Sequence, residues 1–341
     1  MKAIFFGNQN GEIFGSKKDS FCRVYSRETI DRLKSRLTLT EEIIEESRLE
    51  KLKTYIQDVD YIFSTWGMPC CSEDTIHEYF PSLKALFYGA GSVQSFARSF
   101  INCGVRIFSA WGANAVPVAE YTVAQIILAN KGFYQASRIS CKEDYSPAHK
   151  FSCACPGNYG AKVGLIGVGM IGSMVAEMLK RYRLDVMVYD PFLSGRRAAA
   201  LGVTKCSLAQ LFAECQTISC HLPDIQKTKG MLGYKLFSKM KKNAAFINTG
   251  RGAQVIEPDL AKAMAEEPSR TAILDVTFPE PPEPGHPFYS LDNVILTPHI
   301  AGSMNNELAR MGEYMYGEFT ALTENKPLKY EVTLEMLETM A

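Results

Sequence analysis

The chain carries no net charge: 37 Lys and Arg stand against 37 Asp and Glu among 341 residues, so no global field draws it to nucleic acid or to an anionic membrane. It also has no run near the ~18 uninterrupted apolar residues that a membrane helix needs. The nearest approach, Val123 to Ala129, is broken by Gln125. The N-terminal MKAIFFGNQNGEIFG is interrupted by Gly and Asn too early for a secretory signal, so a soluble, cytoplasmic protein is expected. Zinc-type cysteine spacing is missing. The ten cysteines are spread along the chain, and the close pairs, Cys70-Cys71 and Cys153-Ala-Cys155, have neither the two-residue gap nor a matching second half. Reduced thiols and no bound metal follow. Internal repeats and low-complexity tracts are absent too. What remains, 46% hydrophobic and 22% charged residues, is an ordinary globular composition, and the length suggests two domains at ~150 residues each.

Short apolar runs alternate with helical patterns nearly from end to end, which predicts an α/β protein with parallel strands and crossover helices. In the first third, Ala3 to Phe6, Tyr61 to Thr65, Leu83 to Tyr88 and Val105 to Phe108 read as strands, with helices at Asp74 to Phe80 and Val93 to Asn102. Residues 38–57, rich in Glu, Lys and Leu, read as a solvated helical pair. Val116 to Lys142 reads as one long helix with Pro117 in its first turn, and Tyr145 to Tyr159 as a loop. Beyond it a regular alternation predicts a doubly wound sheet: strands at 161–166, 184–189, near Val203, 217–221, 244–248, 271–276 and 293–296, with helices at 171–182, 194–201 and 208–214. An amphipathic helix from Asn305 to Thr323 closes the pattern.

Gly167-Val-Gly169-Met170-Ile171-Gly172 matches a GxGxxG turn, a weak signal alone that gains from its surroundings. Val163 to Ile166 before it is a buried-strand run, and Ile171, Met174, Val175, Met178 and Leu179 after it form one helix face. In such a turn the first glycine permits the bend, the second admits a pyrophosphate to the backbone, and the third lets helix and strand pack closely. The helix N-terminus adds free N–H groups and a positive dipole. Asp190 ends the next strand, 18 residues past Gly172, where a carboxylate meets the adenosine ribose and repels a 2′-phosphate. NAD is thus expected over NADP. The competing readings are a plain tight turn with a helix-capping Asp and the glycine loop of an adenosylmethionine-dependent methyltransferase.

Three more side chains fall just past predicted strands, where α/β sheets present their ligands. Arg251 lies in Asn248-Thr-Gly-Arg-Gly252, Glu280 in Asp275-Val-Thr-Phe-Pro-Glu-Pro281, and His299 in Thr297-Pro-His-Ile-Ala-Gly302. Reversible hydride transfer at a 2-hydroxy or 2-oxo acid needs such a set. Arg can clamp a carboxylate and polarise the neighbouring carbonyl. His can exchange a proton with the substrate oxygen near neutral pH, and a nearby Glu favours and orients the imidazolium. Singly, each has a bland explanation: a capping Arg, a solvated Glu, a satisfied His.

The segments VGLIGVGMIG, CHLPD, INTGRG, ILDVTFPEPP and LTPHIAG, in this order, resemble the D-isomer-specific 2-hydroxyacid dehydrogenase family from about Gly89 to the C-terminus. The resemblance implies an oxidoreductase with His299 as acid/base, Glu280 as its partner and Arg251 binding substrate. It further implies cofactor contacts from Asp275, His221, Leu222, Pro223 and Thr249, and a Rossmann-type sheet (113–302) inserted into a smaller flavodoxin-like substrate domain (1–112, completed by 303–341). A homodimer, with helix 117–142 in the contact, is also implied. The family's acidic residue in the substrate loop is missing from Gly89-Ala90-Gly91-Ser-Val93, though the N–H groups of Ala90 and Gly91 can hold a carboxylate, and Trp111 replaces a usual proline. Trp66, after a strand of the first domain, is expected to line the substrate pocket, the competing reading being an aromatic plug of the domain core. Glu280 argues against formate dehydrogenases, whose histidine pairs with Gln. An NAD-sensing, corepressor-like interaction protein on the same scaffold is the alternative function. The stretch after His299 is too short for the regulatory domain of many phosphoglycerate dehydrogenases, so serine feedback is not expected. With no extra Arg or Lys cluster near the first-domain loops, small uncharged substrate substituents are expected.

Overall fold

The computed structural model describes residues 1–8, 20–142 and 145–338. The chain divides into two units, Met1–Asn114 with Ser303–Ala341, and Ala115–Gly302.

In the first unit, β1 (Lys2–Phe6), β2 (Thr38–Ile44), β3 (Tyr61–Ser64), β4 (Ala85–Tyr88) and β5 (Arg106–Ser109) form a parallel sheet in the order β2-β1-β3-β4-β5, and the short strand Glu331–Val332 pairs antiparallel with β5. This is the flavodoxin-like winding. Phe63, Phe87 and Phe108 are register partners on three adjacent strands, and their rings stack at centroid distances of 5.0 and 4.9 Å. Phe319, from the helix Leu308–Thr323, meets Phe63 and Phe87 edge-on at 5.8 Å. This aromatic ladder ties the C-terminal segment to the first unit, since edge-to-face rings add attraction to the area they bury. The buried carboxylate of Glu318 accepts the N–H groups of Lys329 and Tyr330 and fixes the turn into the last strand. Where the chain leaves and re-enters this unit, Asn114 Oδ1 accepts the Ser303 N–H at 2.9 Å.

In the second unit, β6 (Tyr159–Ile166), β7 (Arg183–Tyr189), β8 (Thr204–Lys205), β9 (Thr217–Cys220), β10 (Ala245–Asn248), β11 (Thr271–Leu274) and β12 (Val294–Leu296) run parallel in the order β8-β7-β6-β9-β10-β11-β12. The first six give the doubly wound Rossmann order, with the reversal between β6 and β9. Serines start the helices that follow β7 and β8: Ser194 caps Gly195–Leu201, and Ser207 forms a reciprocal cap with Gln210 before Leu208–Glu214.

Several expectations need correction. Residues 38–57 are not a helical pair but strand β2 followed by the helix Leu49–Ile56. Leu39 and Ile44 are buried in the sheet while Glu41 and Glu42 are exposed beside a register shift, as charges on an edge strand often are. Residues 116–142 are two helices, Trp111–Ala129 and Phe133–Lys142. The break is held by buried Asn130, whose Oδ1 accepts from Thr217 Oγ1 at 2.6 Å and whose Nδ2 donates to Asn158 Oδ1 at 3.0 Å. The segment read as a loop from Tyr145 contains the helix Tyr145–Cys153, with Pro147 in its first turn, where a missing N–H leaves no bond unmade. The helix expected from Val93 begins at Ala97.

Replacing Glu318 by Ala leaves the part-buried N–H groups of Lys329 and Tyr330 without their acceptor and is expected to destabilise the first unit by about 1 kcal/mol. A denaturant midpoint unmoved from wild type would show that the carboxylate is dispensable.

Candidate active site

Six segments leave the carboxyl ends of second-unit strands: the glycine turn after β6, Asp190 after β7, His221 to Pro223 after β9, Thr249 and Arg251 after β10, Asp275 to Glu280 after β11, and Thr297 to His299 after β12. Because the strands are parallel neighbours, all six gather on one edge of the sheet. In this fold class ligands bind at that edge, beside the reversal of strand order.

The glycine turn is tightly wound. A Cβ built at Gly172 would lie 2.1 Å from the Gly167 carbonyl oxygen, so only glycine lets the helix Met170–Leu179 begin this close to β6. Asp190 Oδ2 accepts the Val168 N–H at 2.9 Å and Oδ1 the Phe192 N–H at 2.8 Å, which orients the carboxylate beside the turn. Each oxygen keeps a lone pair for a further hydroxyl. Met170 and Ile171 stand at the helix start, Met170 exposed. Arg197, from the next helix, reaches back to Val168 O at 2.9 Å and Ser173 Oγ at 2.7 Å.

After β9, the His221 ring contacts Ser219 Oγ at 3.0 Å, and burial pushes its pKa down to about 4, so the imidazole is neutral at physiological pH. Leu222 is buried, and the Pro223 carbonyl accepts from Gln254 Nε2 at 3.1 Å. The same buried Gln254 accepts the Arg251 N–H through Oε1 at 2.9 Å, while Asn248 Nδ2 donates to the Arg251 carbonyl at 2.9 Å. Two side-chain amides thus frame Arg251. Its Nη1 donates to Gly250 O at 2.8 Å. Thr249 Oγ1 meets Thr122 Oγ1 at 3.0 Å. A Cβ at Gly252 would lie 2.0 Å from the Thr277 carbonyl carbon, so glycine there allows the loop after β10 to press against the loop that leads to Glu280.

Asp275 is 2% exposed and receives three hydrogen bonds: Thr297 Oγ1 to Oδ1 at 2.6 Å, Ile300 N–H to Oδ1 at 2.8 Å and Ala301 N–H to Oδ2 at 2.9 Å. Its carbonyl also accepts the His299 N–H at 3.0 Å. His299 is held at φ +54°, a left-handed conformation uncommon for a non-glycine residue. Its Nδ1 lies 2.8 Å from Glu280 Oε1, although the two residues are 19 apart in sequence. Arg251, Glu280 and His299 therefore follow three adjacent strands, β10, β11 and β12.

Residues 123–301 match the family described as D-isomer specific 2-hydroxyacid dehydrogenase, NAD binding domain. The chain belongs to that family. Among its relatives, a D-3-phosphoglycerate dehydrogenase of Archaeoglobus fulgidus is 33% identical over 235 residues, covering 69% of this chain and 44% of that protein. A glyoxylate reductase of Korarchaeum cryptofilum is 28% identical over 260 residues, covering 76% of this chain and 78% of its own. The chain spans less than half the length of the D-3-phosphoglycerate dehydrogenases it matches. The fold is shared with D-2-hydroxyisocaproate dehydrogenase (TM-score 0.76, 19% identity, 98% of this chain and 100% of that one) and with the D-lactate dehydrogenase of Lactobacillus jensenii solved with NAD+ (TM-score 0.75, 20% identity, 98% and 100%).

The residues present fit the family's cofactor, NAD: the close-packed turn at Gly172 leaves a helix N-terminus for phosphates, and the oriented Asp190 carboxylate can accept ribose hydroxyls. In the first unit, Trp66 is half-buried and packs on that unit's hydrophobic core. The carbonyls of Ala90 and Gly91 both accept from Ser109 Oγ, which fixes the turn. Among the described residues no helix is long and apolar enough to cross a membrane, and no cluster of His, Cys, Asp or Glu is arranged to hold a metal ion.

Sequence reading missed a second acid–imidazole pair. Buried Glu257 accepts the Phe278 N–H at 2.7 Å and lies 3.3 Å from His286 Nε2, bracing the loop that carries Glu280. Burial raises the pKa of this carboxyl. The only available signal was His286 in the proline-rich stretch after Glu280. Gln254, Arg197 and Thr297 were also missed, though Thr297 lies two residues from His299.

Gly172→Ala is expected to raise the dissociation constant for NADH by about tenfold or more, each tenfold being 1.4 kcal/mol. Equal titration curves would remove the close-packing argument. For His221, an unfolded imidazole protonates near pH ~6.5, whereas the folded one stays neutral until about 4. Its contribution to stability is therefore complete above that unfolded value and is lost as pH falls toward the folded one. His221→Asn should flatten the melting-temperature profile across that window; a slope identical to wild type would contradict the neutral ring.

Proposed function

We propose that this chain is an NAD-dependent D-2-hydroxyacid dehydrogenase that interconverts a small 2-oxo acid and its D-2-hydroxy acid. The observation that carries the reading is the 2.8 Å contact between His299 Nδ1 and Glu280 Oε1, formed at the same sheet edge as Arg251 and the dinucleotide turn. A carboxylate on Nδ1 fixes the ring, and Nε2 is the nitrogen that exchanges a proton with the substrate oxygen. Arg251 has one of its five donors on Gly250 O and a backbone framed by Gln254 and Asn248. Its planar fork suits a substrate carboxylate and, beside it, the carbonyl that gains charge during reduction. A nicotinamide bound at this edge supplies or accepts the hydride. Asp275, His221, Leu222, Pro223 and Thr249 are proposed to line its place, and the neutral His221 is a wall of that place and not a second base.

The substrate is proposed to be a 2-oxo acid with a small, uncharged substituent, acted on in the cytoplasm. Oxidation of NADH followed at 340 nm with glyoxylate, hydroxypyruvate, pyruvate and a phosphorylated 2-oxo acid tests this directly. Turnover confined to the phosphorylated compound would overturn the substrate class. Tight NADH binding without turnover of any of them would favour an NAD-sensing interaction protein. In the active enzyme, His299→Ala should lower kcat by the ~10²–10⁴-fold that a general acid supplies, and Arg251→Ala should both lower kcat and raise KM for the acid. Wild-type kinetics in either variant would contradict its assignment.

A further inference from the structure

A line of side-chain hydrogen bonds runs from the helix Trp111–Ala129 to the carboxylate of Asp275. Tyr134 Oη donates to Gln125 Oε1, one turn along the helix from Tyr121. Tyr121 Oη lies 3.1 Å from Thr297 Oγ1, and Thr297 Oγ1 lies 2.6 Å from Asp275 Oδ1. The direction of this line is determined by proton count. An ionised carboxylate only accepts, and a threonine hydroxyl has a single proton. Thr297 must give that proton to Asp275, so it can only accept from Tyr121, whose own proton is then committed. Both hydroxyls point the same way, and the line ends on the buried carboxylate.

The carboxylate in turn holds the backbone that presents His299. Ile300 and Ala301 donate their N–H groups to its two oxygens, and His299 donates its N–H to the Asp275 carbonyl. These bonds bracket a residue held at φ +54°, a conformation that persists only where its surroundings over-determine it. We propose that Tyr121 and Thr297 are positioning residues for His299: their hydroxyls orient Asp275, and Asp275 clamps residues 299–301 so that the ring meets Glu280. Thr122, the next residue on the same helix, contacts Thr249 Oγ1, so one helix braces the loops after both β10 and β12. Hydrogen bonds of donors to a charged acceptor are the stronger kind, which gives the Thr297 contact the larger effect.

The kinetic part of this inference rests on His299 as proton donor; the structural part does not. The test uses full-length Tyr121→Phe, Thr297→Val, Thr297→Ser and the double variant Tyr121→Phe/Thr297→Val, each first checked for a melting temperature that shows a folded protein. Amide hydrogen exchange at Ile300 and Ala301, read without substrate, should quicken in Thr297→Val, quicken less in Tyr121→Phe, and stay near wild type in Thr297→Ser, which keeps the hydroxyl. With an accepted 2-oxo acid, Thr297→Val should lower kcat by about tenfold or more, the size expected for one bond to a charged group, with KM for the acid little changed. Because both hydroxyls act through one carboxylate, the double variant should lose no more than Thr297→Val alone. Unchanged exchange in Thr297→Val, additive kinetic losses, or no recovery by serine would each overturn the proposal. Faster exchange in a protein that turns over no 2-oxo acid even as wild type would uphold the clamp and remove the functional reading instead.

Discussion

A buried carboxylate must be met by donors, and at the end of β11 those donors come from the turn that ends β12. Asp275 takes a hydroxyl and two backbone N–H groups from residues 297–301, and its carbonyl takes a fourth donor, the His299 N–H. An ionised group left short of such partners in a low-dielectric surrounding costs several kcal/mol, on the order of the stability of a whole domain. The turn is therefore not at liberty to relax, and the unusual backbone of His299 is the geometry in which the carboxylate is satisfied. The direction of the ring, and with it the contact to Glu280, is inherited from that requirement.

The other loops on the edge obey the same logic with different chemistry. Two amides, Asn248 and Gln254, hold the backbone of Arg251, and Gln254 also reaches the segment after β9, so neighbouring loops are stitched to each other through side chains that are themselves buried. Glycine at 252 removes the one side chain that would keep the loops after β10 and β11 apart. Glu257 then braces the second of these loops from beneath. The edge is rigid because each loop is bonded to the next, while the strands set only the spacing.

What could be read in the sequence follows from the range of the forces concerned. Parallel strands, the glycine turn and the strand-end Asp190 declare themselves through periodicity and local spacing, and the α/β class with its Rossmann-type unit was legible on that basis. Residues 38–57 misled because an edge strand with Glu41 and Glu42 on its outer side has a helix-like composition, and its apolar positions matter only once β1 is beside it. The helix Tyr145–Cys153 was hidden by Pro147, which reads as a breaker unless its place in the first turn is known. In the candidate site, Arg251, Glu280 and His299 stood out because each follows an apolar strand run, where an α/β sheet presents its ligands. Tyr121 and Thr297, 176 residues apart, gave no such signal, because a hydroxyl pair becomes a link only after the fold has closed the distance.

The bond between Asn114 and Ser303 joins the two points where the chain departs from the first unit and comes back to it. Everything from Ala115 to Gly302 is thus an excursion whose beginning and end are neighbours. Polymer statistics make such an arrangement inexpensive: joining two ends that already touch needs little extra loop, so the intervening stretch has the topology of a cassette, removable in principle without stretching what it was removed from. The same adjacency lets the excised stretch be closed on itself and reopened at another surface turn, with the aromatic ladder of the first unit left whole.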